Sequence, residues 1–216
     1  MSVAVRPESL ATILGGRRGA IDASVPPVAF VLGWLLSGRS IGWGAAAAIG
    51  LAAALGVARV MRGQRIAAVV ISLAAVVAAA LIALYTGRAQ DFFLLQVLAN
   101  VASALAWAGS ILLRWPLLGV IVGAVLGNKT RWRRDAELLR AYSLASWIWV
   151  SQYLIRVGVF GALWWSEQVV ALGVARTVLS WPLVAATIAV SGWVLHKVLP
   201  ADHPGIRHPQ VEESAA

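Results

Sequence analysis

The sequence predicts an all-α, polytopic integral membrane protein with about six transmembrane helices, a short re-entrant or interfacial helix, and both termini in the cytoplasm. Of its 216 residues, 60% are hydrophobic and only 12% are charged, whereas soluble domains average about 45–50% and about 25%. Apolar runs close to the length that crosses a bilayer recur along the chain. The runs are continuous, which argues against the alternating pattern of an outer-membrane barrel.

The predicted spans share one transmembrane domain over 19–199 and lie at about 20–37, 41–58, 66–85, 92–111, 141–163 and 169–195. Residues 1–18 form a cytoplasmic segment, and the polar residues 200–216 a disordered cytoplasmic tail. Asp22 is expected to cap the first helix, with Pro26 and Pro27 in its first turns. Positive residues gather before spans one, three and five, so the positive-inside rule places both termini in the cytoplasm.

One apolar segment, 115–127, is too short for an ordinary span, because its helix would cover only about 20 Å. It could be a re-entrant half-helix, an interfacial helix or a true short span. Arg114 and Pro116 at its start are expected to have a gating or structural role. The basic segment 128–140 reads either as an amphipathic helix on anionic headgroups, anchored by Trp132, or as a solvated loop.

Two arginines lie inside predicted spans, where a charge is costly and is usually paired or exposed to a wet cavity. Arg156 and Arg176 fall at nearly equal predicted depth, about eight residues from the outer side, on antiparallel neighbours. Polar residues of similar depth, Gln96 and Asn100 on span four and Gln152 on span five, complete a candidate ligand-binding patch. Guanidinium groups with amides nearby suit an anion. Alternatively, the arginines reach the headgroups or form structural ion pairs.

A second set of polar residues falls in the predicted outer loops and is expected to be gating or structural: Arg88, Asp91 and Glu167. Asp22, Asp91 and Glu167 are the acidic residues nearest to membrane depth. Because no acidic residue other than Asp22, at the start of the first span, lies within any span, paired carboxylates for acid–base chemistry are missing there.

Several function classes lack the residues they need. There is no cysteine, and no nucleotide-binding loop, zinc-protease motif or serine-hydrolase motif. Three histidines in or near the tail are poorly spaced for a metal. We therefore expect no catalytic residue, metal or cofactor. The net charge of +9 falls mainly in short loops, which predicts contact with anionic lipid headgroups rather than with nucleic acid.

The chain resembles an uncharacterised actinobacterial membrane-protein family, domain of unknown function 3159. The resemblance rests on Asp22 with its following prolines, the "TGR" turn at 86–88 and the "LLRWPLLG" element. More distantly, the first 125 residues are similar to the intracellular septation protein A family. These resemblances imply the bacterial cytoplasmic membrane and an envelope setting, and they assign no reaction.

Three hypotheses about function follow. The first is a small transporter or channel that binds an anion or polar solute in the outer half of the membrane and works as a homodimer. The second is a non-enzymatic scaffold or envelope-assembly factor that binds anionic lipid or partner helices. The third is a membrane-embedded enzyme acting on a lipid or isoprenoid. The first is preferred because the two arginines match in depth.

Overall fold

The computed structural model describes residues 16–127, 130–200 and 203–206, and for 16–23 only the backbone. The helices are α1 Gly16–Leu36, α2 Ile41–Met61, α3 Ile66–Thr86, α4 Leu94–Leu112, α5 Leu117–Val125, α6 Ala136–Trp165, α7 Val169–Val178 and α8 Trp181–Val198. Two 3₁₀ turns, Ala89–Phe93 and Arg131–Arg134, precede α4 and α6. No strand occurs within these described ranges, so the predicted all-α class is confirmed.

Four helical stretches are long and apolar enough to cross a membrane: Ile41–Met61, Ile66–Thr86, Ala89–Leu112 and Val169–Val198. They indicate a membrane protein. Helix α6 has 30 residues, which is ample length, but its serines, Gln152 and Arg156 make it less apolar than these four. The described part of α1 adds a shorter apolar helix, Ser24–Leu36. The count of six spans and the side on which the termini lie stay predictions.

The start of the first helix differs from the prediction. Helix α1 already begins at Gly16, so Asp22 lies within the helix and the expected cap at this residue is wrong. Pro26 and Pro27 consequently lie inside α1 instead of in its first turn, where each removes a backbone N–H donor. The sequence pattern misplaces the start because Arg17 and Arg18 interrupt the apolar run, and charged residues at such a position are equally compatible with a flanking loop.

The predicted sixth span is divided between two helices. Helix α7 ends at Val178, and α8 begins at Trp181 after a two-residue turn. Pro182 occupies the first turn of α8, where a missing N–H costs least. The apolar segment 115–127 contains the nine-residue helix α5, and its three interpretations stay open because length alone does not choose between them.

The contacts divide the chain into two compact units, of which the first comprises Met1–Leu95 and Ala162–Trp181 as far as these are described. Its helices α1 and α2 approach closely at Gly33, where an added Cβ would come within 2.8 Å of the Ala47 Cβ atom. Phe30 of α1 stacks on Phe92 with ring centroids 4.0 Å apart, and Phe93 meets both rings edge-on. These aromatic contacts fix the turn that leads into α4.

The second unit comprises Gln96–Gly161 and Pro182–Ala216, again as far as described. Its core is a cluster of buried residues: Trp107, Leu118, Trp132, Leu138, Tyr142, Ala145 and Val150. Trp132 is only 1% exposed, meets Tyr142 edge-on at 5.6 Å and lies over Gly119, where a Cβ would come within 2.9 Å of the indole. Trp132 is therefore a core residue and not the headgroup anchor of the amphipathic-helix interpretation. Within the described part of 128–140, Arg131–Arg134 form a 3₁₀ turn and the residues from Ala136 belong to α6, so the segment is not a separate amphipathic helix.

Candidate ligand-binding site

Helix α6 carries a row of buried polar atoms that no described residue satisfies. They are Ser146 Oγ, Trp149 Nε1 and both amide atoms of Gln152, and we call these three residues the polar row. They are spaced three apart, so they lie on successive turns of one side of the helix. Ser146 is fully buried and Gln152 is 2% exposed. Each such atom costs about 1–3 kcal/mol if it stays dry and unpaired.

Arg156 follows Gln152 by one helical turn and extends the polar row with a fixed positive charge. It is half-buried, and its Cζ atom lies 5.9 Å from the centroid of the Tyr153 ring. The sequence had identified Gln152 only as a neighbour of Arg156. The structure makes Gln152 the more unusual of the two, because a long polar side chain is buried without a partner among the described residues.

Helix α4 provides the other polar residues that the sequence placed near this level. Trp107 of α4 stacks on Trp149 of α6 at 4.9 Å, so the two helices contact each other within the second unit. Asn100 lies seven residues before Trp107 and Arg156 seven residues after Trp149, so each is about 10 Å from the stacked pair along its own helix.

Of the predicted patch, the second unit therefore holds four members: Gln96, Asn100, Gln152 and Arg156. Asn100 is buried and its Nδ2 donates to the Gln96 carbonyl at 2.7 Å, a bond within its own helix. Arg176 lies half-buried on α7 in the first unit. The matched depth of Arg156 and Arg176 stays a prediction.

The residues predicted for the outer loops come together in the first unit. Asp91, 4% exposed, accepts a hydrogen bond from Trp164 Nε1 at 2.8 Å. Glu167 Oε1 accepts from Gln90 Nε2 at 3.1 Å and lies 3.4 Å from Arg88 Nη2. The Arg88 guanidinium also lies 5.3 Å from the Trp164 ring centroid. We call these five residues the clasp, because they join the turn before α4 to the turn after α6.

The remaining predicted residues surround helix ends. Arg114 is exposed and has a left-handed backbone with φ of 56°, which closes the turn after α4. Pro116 is buried and precedes the first residue of α5, and Ser110 Oγ accepts the Leu117 N–H at 3.2 Å. The side chain of Asp22 lies outside the described residues.

Sequence reasoning missed one buried pair. Asp135 caps α6, since its Oδ1 accepts the Leu138 N–H at 3.0 Å, and its Oδ2 lies 3.0 Å from His203 Nε2. Gly205 N–H donates to His203 Nδ1 at 2.9 Å, so Nδ1 is the acceptor and Nε2 carries the proton towards Asp135. Ile206 packs on the core of the second unit. The signal in the sequence was Asp135 three residues before Leu138, at the start of a helical pattern.

Comparison with known proteins identifies a family but no activity. The model of the family described as "Protein of unknown function (DUF3159)" matches residues 14–202. No curated protein matches the chain, and no solved structure matches it. The resemblance to this family is thus confirmed, while the actinobacterial origin and the distant similarity to septation proteins stay predictions.

Proposed function

This chain belongs to the family of proteins of unknown function DUF3159, and we propose that it is a small transporter or channel-like protein with a site for an anion or polar solute. In this proposal it is a multi-pass protein of the bacterial cytoplasmic membrane with both termini in the cytoplasm. A homodimer supplies the additional helices that a permeation path needs.

The observation that carries the proposal is the buried amide of Gln152, whose two polar atoms have no hydrogen-bond partner in the described part of the chain. In a helix of a membrane protein, a buried amide without a partner would be replaced by leucine at a gain in stability, unless something binds it. Water or a polar solute can supply the missing hydrogen bonds, since Gln152 offers a donor and an acceptor in the same place. Ser146 and Trp149 continue this set of groups along α6.

Arg156 determines which solutes the site favours. Its charge lies one turn beyond Gln152 on α6, and helix α4, which carries the buried Asn100, contacts α6 through the Trp107–Trp149 stack. A guanidinium group grips carboxylate or phosphate oxygens with two parallel bonds. An anion with a further hydrogen-bonding group therefore suits Arg156 and Gln152 together.

The test is thermal unfolding of the detergent-purified protein against a panel of small carboxylates, phosphate and sulfate. A bound ligand raises the melting temperature by mass action, by about 2.7 kcal/mol in stability at a hundred times its Kd. We expect a selective shift for wild type, and none for Arg156→Gln or Gln152→Leu. The matched control is Thr187→Val, because the buried Thr187 hydroxyl already donates to the Leu183 carbonyl at 2.8 Å, and it should keep the shift.

Flux in proteoliposomes then separates transport from static binding. The ligand that stabilises wild type should cross the vesicle membrane with wild type and with Thr187→Val, and Arg156→Gln should abolish its flux while the protein stays folded. A panel without any selective shift, or a shift that survives in both Gln152→Leu and Arg156→Gln, would refute the site.

A further inference from the structure

A second cationic site lies in the basic segment before α6, where one arginine is held flat against a tryptophan. The Cζ atom of Arg133 lies 3.9 Å from the ring centroid of Trp115. Its Nε atom is buried without a hydrogen-bond partner, and the described residues include no carboxylate paired with it. The neighbouring Trp132 is fixed in the core, so the 3₁₀ turn holds Arg133 in this place.

The surroundings of the stack are strongly basic. Four exposed arginines lie near the two stacked residues in sequence. Arg114 adjoins Trp115, and the others lie within seven residues of Arg133: Arg131, Arg134 and Arg140. Of the two acids nearby, Asp135 is buried and bonds to the Leu138 N–H and to His203. Only Glu137 is exposed. The net positive charge at this surface is therefore not neutralised from within the described part of the segment.

The stack also adjoins an apolar surface. Leu112 and Leu113, directly before the turn, are 77% and 75% exposed, and Trp115 is 41% exposed. A tryptophan between exposed leucines and arginines is typical of the membrane interface, with its apolar body towards acyl chains and its polar edge towards headgroups. This combination matches a molecule that has both a phosphate and a hydrocarbon part.

We propose that the Arg133–Trp115 stack binds the phosphate of one anionic membrane lipid, whose acyl chain lies along Leu112 and Leu113. The Trp115 ring covers one face of the guanidinium, and the two terminal NH₂ groups, unlike the buried Nε, donate to two phosphate oxygens. A soluble phosphate would use the same N–H groups and gain nothing from the leucines. This site is separate from the polar row, so either proposal can fail without the other.

The experiment is native mass spectrometry of the full-length protein with phosphatidylglycerol, with phosphatidylcholine as the neutral lipid. We expect Arg133→Gln to weaken phosphatidylglycerol binding about tenfold, as for the loss of a charge-assisted hydrogen-bond pair. Arg131→Gln removes the same charge from the same turn but has no such stack, and it should stay within about twofold of wild type. Arg133→Lys should bind about as weakly as Arg133→Gln, because lysine keeps the charge without the planar fork.

Three results would overturn the proposal. Equal losses for Arg131→Gln and Arg133→Gln would mean diffuse attraction to a basic surface. Full binding by Arg133→Lys would mean that the charge alone is sufficient. Displacement of the lipid by millimolar inorganic phosphate would assign the N–H groups to a soluble anion. Circular dichroism melting checks that each variant is folded. Trp115→Phe keeps a smaller ring under Arg133, and its loss of phosphatidylglycerol binding should lie between those of wild type and Arg133→Gln.

Discussion

Gln90 and Gln152 are both buried, at 4% and 2% exposure, yet their amides are in opposite situations. Gln90 belongs to the clasp and donates to Glu167 at 3.1 Å. Both side-chain atoms of Gln152 lack a partner among the described residues. In the clasp, polar groups satisfy one another and hold two turns together, as structural polar contacts do. In the polar row they stay available, which is what a binding site for a polar solute requires.

The largest stability effect is expected in the clasp. Trp164→Phe keeps an aromatic ring but removes the N–H that Asp91 accepts at 2.8 Å, leaving a buried carboxylate with one bond fewer. We expect the free energy of unfolding to fall by about 2 kcal/mol, measured by urea or thermal unfolding in detergent. The control is Trp165→Phe. Trp165 is 82% exposed, so this substitution should leave the free energy of unfolding nearly unchanged. Similar values for the two variants would show that Asp91 gains little from this bond.

The two glutamines provide the direct test of the comparison. Gln90→Leu leaves the Glu167 carboxylate without its amide donor and should lower the free energy of unfolding by about 1 kcal/mol. Gln152→Leu removes two unsatisfied atoms and should raise it by about 1 kcal/mol in the absence of ligand. Melting temperatures under the same conditions check both signs. A loss of stability in Gln152→Leu would mean that the amide is already satisfied, and the polar row would then be structural.

Hydrophobic runs predicted the helix boundaries well where an uninterrupted apolar stretch determines them. Helix α3 runs from Ile66 to Thr86, against 66–85 expected, because an uninterrupted apolar stretch forms it and Gly87, in a left-handed conformation, ends it. The break before Trp181 was missed, since an average over the span does not register a two-residue turn between apolar halves. Proline at the second position of α8 was the available signal.

The interior of the second unit could not be predicted in the same way. Trp132 was expected at a headgroup because its neighbours are arginines, but the missing side chain of Gly119 opens the space that the indole fills. Likewise, the burial of His203 against Asp135 depends on the tail returning to α6. Such contacts join residues distant in sequence, and periodicity carries no information about them. The sequence shows that Gln152 lies one turn before Arg156. It does not show that the Gln152 amide lacks a partner among the described residues, because this depends on which distant residues surround it.

The smallest expected effect distinguishes two serines. Ser110 Oγ donates to the Trp107 carbonyl at 2.7 Å and accepts the Leu117 N–H at 3.2 Å, so it links α4 to the start of α5. Ser146 is fully buried, whereas Ser110 is half-buried, and the Ser146 hydroxyl has no partner among the described residues. Ser110→Ala should therefore lower the free energy of unfolding by about 1 kcal/mol, whereas Ser146→Ala, which removes an unsatisfied hydroxyl, should not lower it. Denaturant titration of both variants beside wild type resolves this difference.

A loss of stability for Ser146→Ala as large as for Ser110→Ala would require an ordered water on Ser146 even without solute. The polar row would then be hydrated permanently, and the solute would have to displace that water and not enter a dry site.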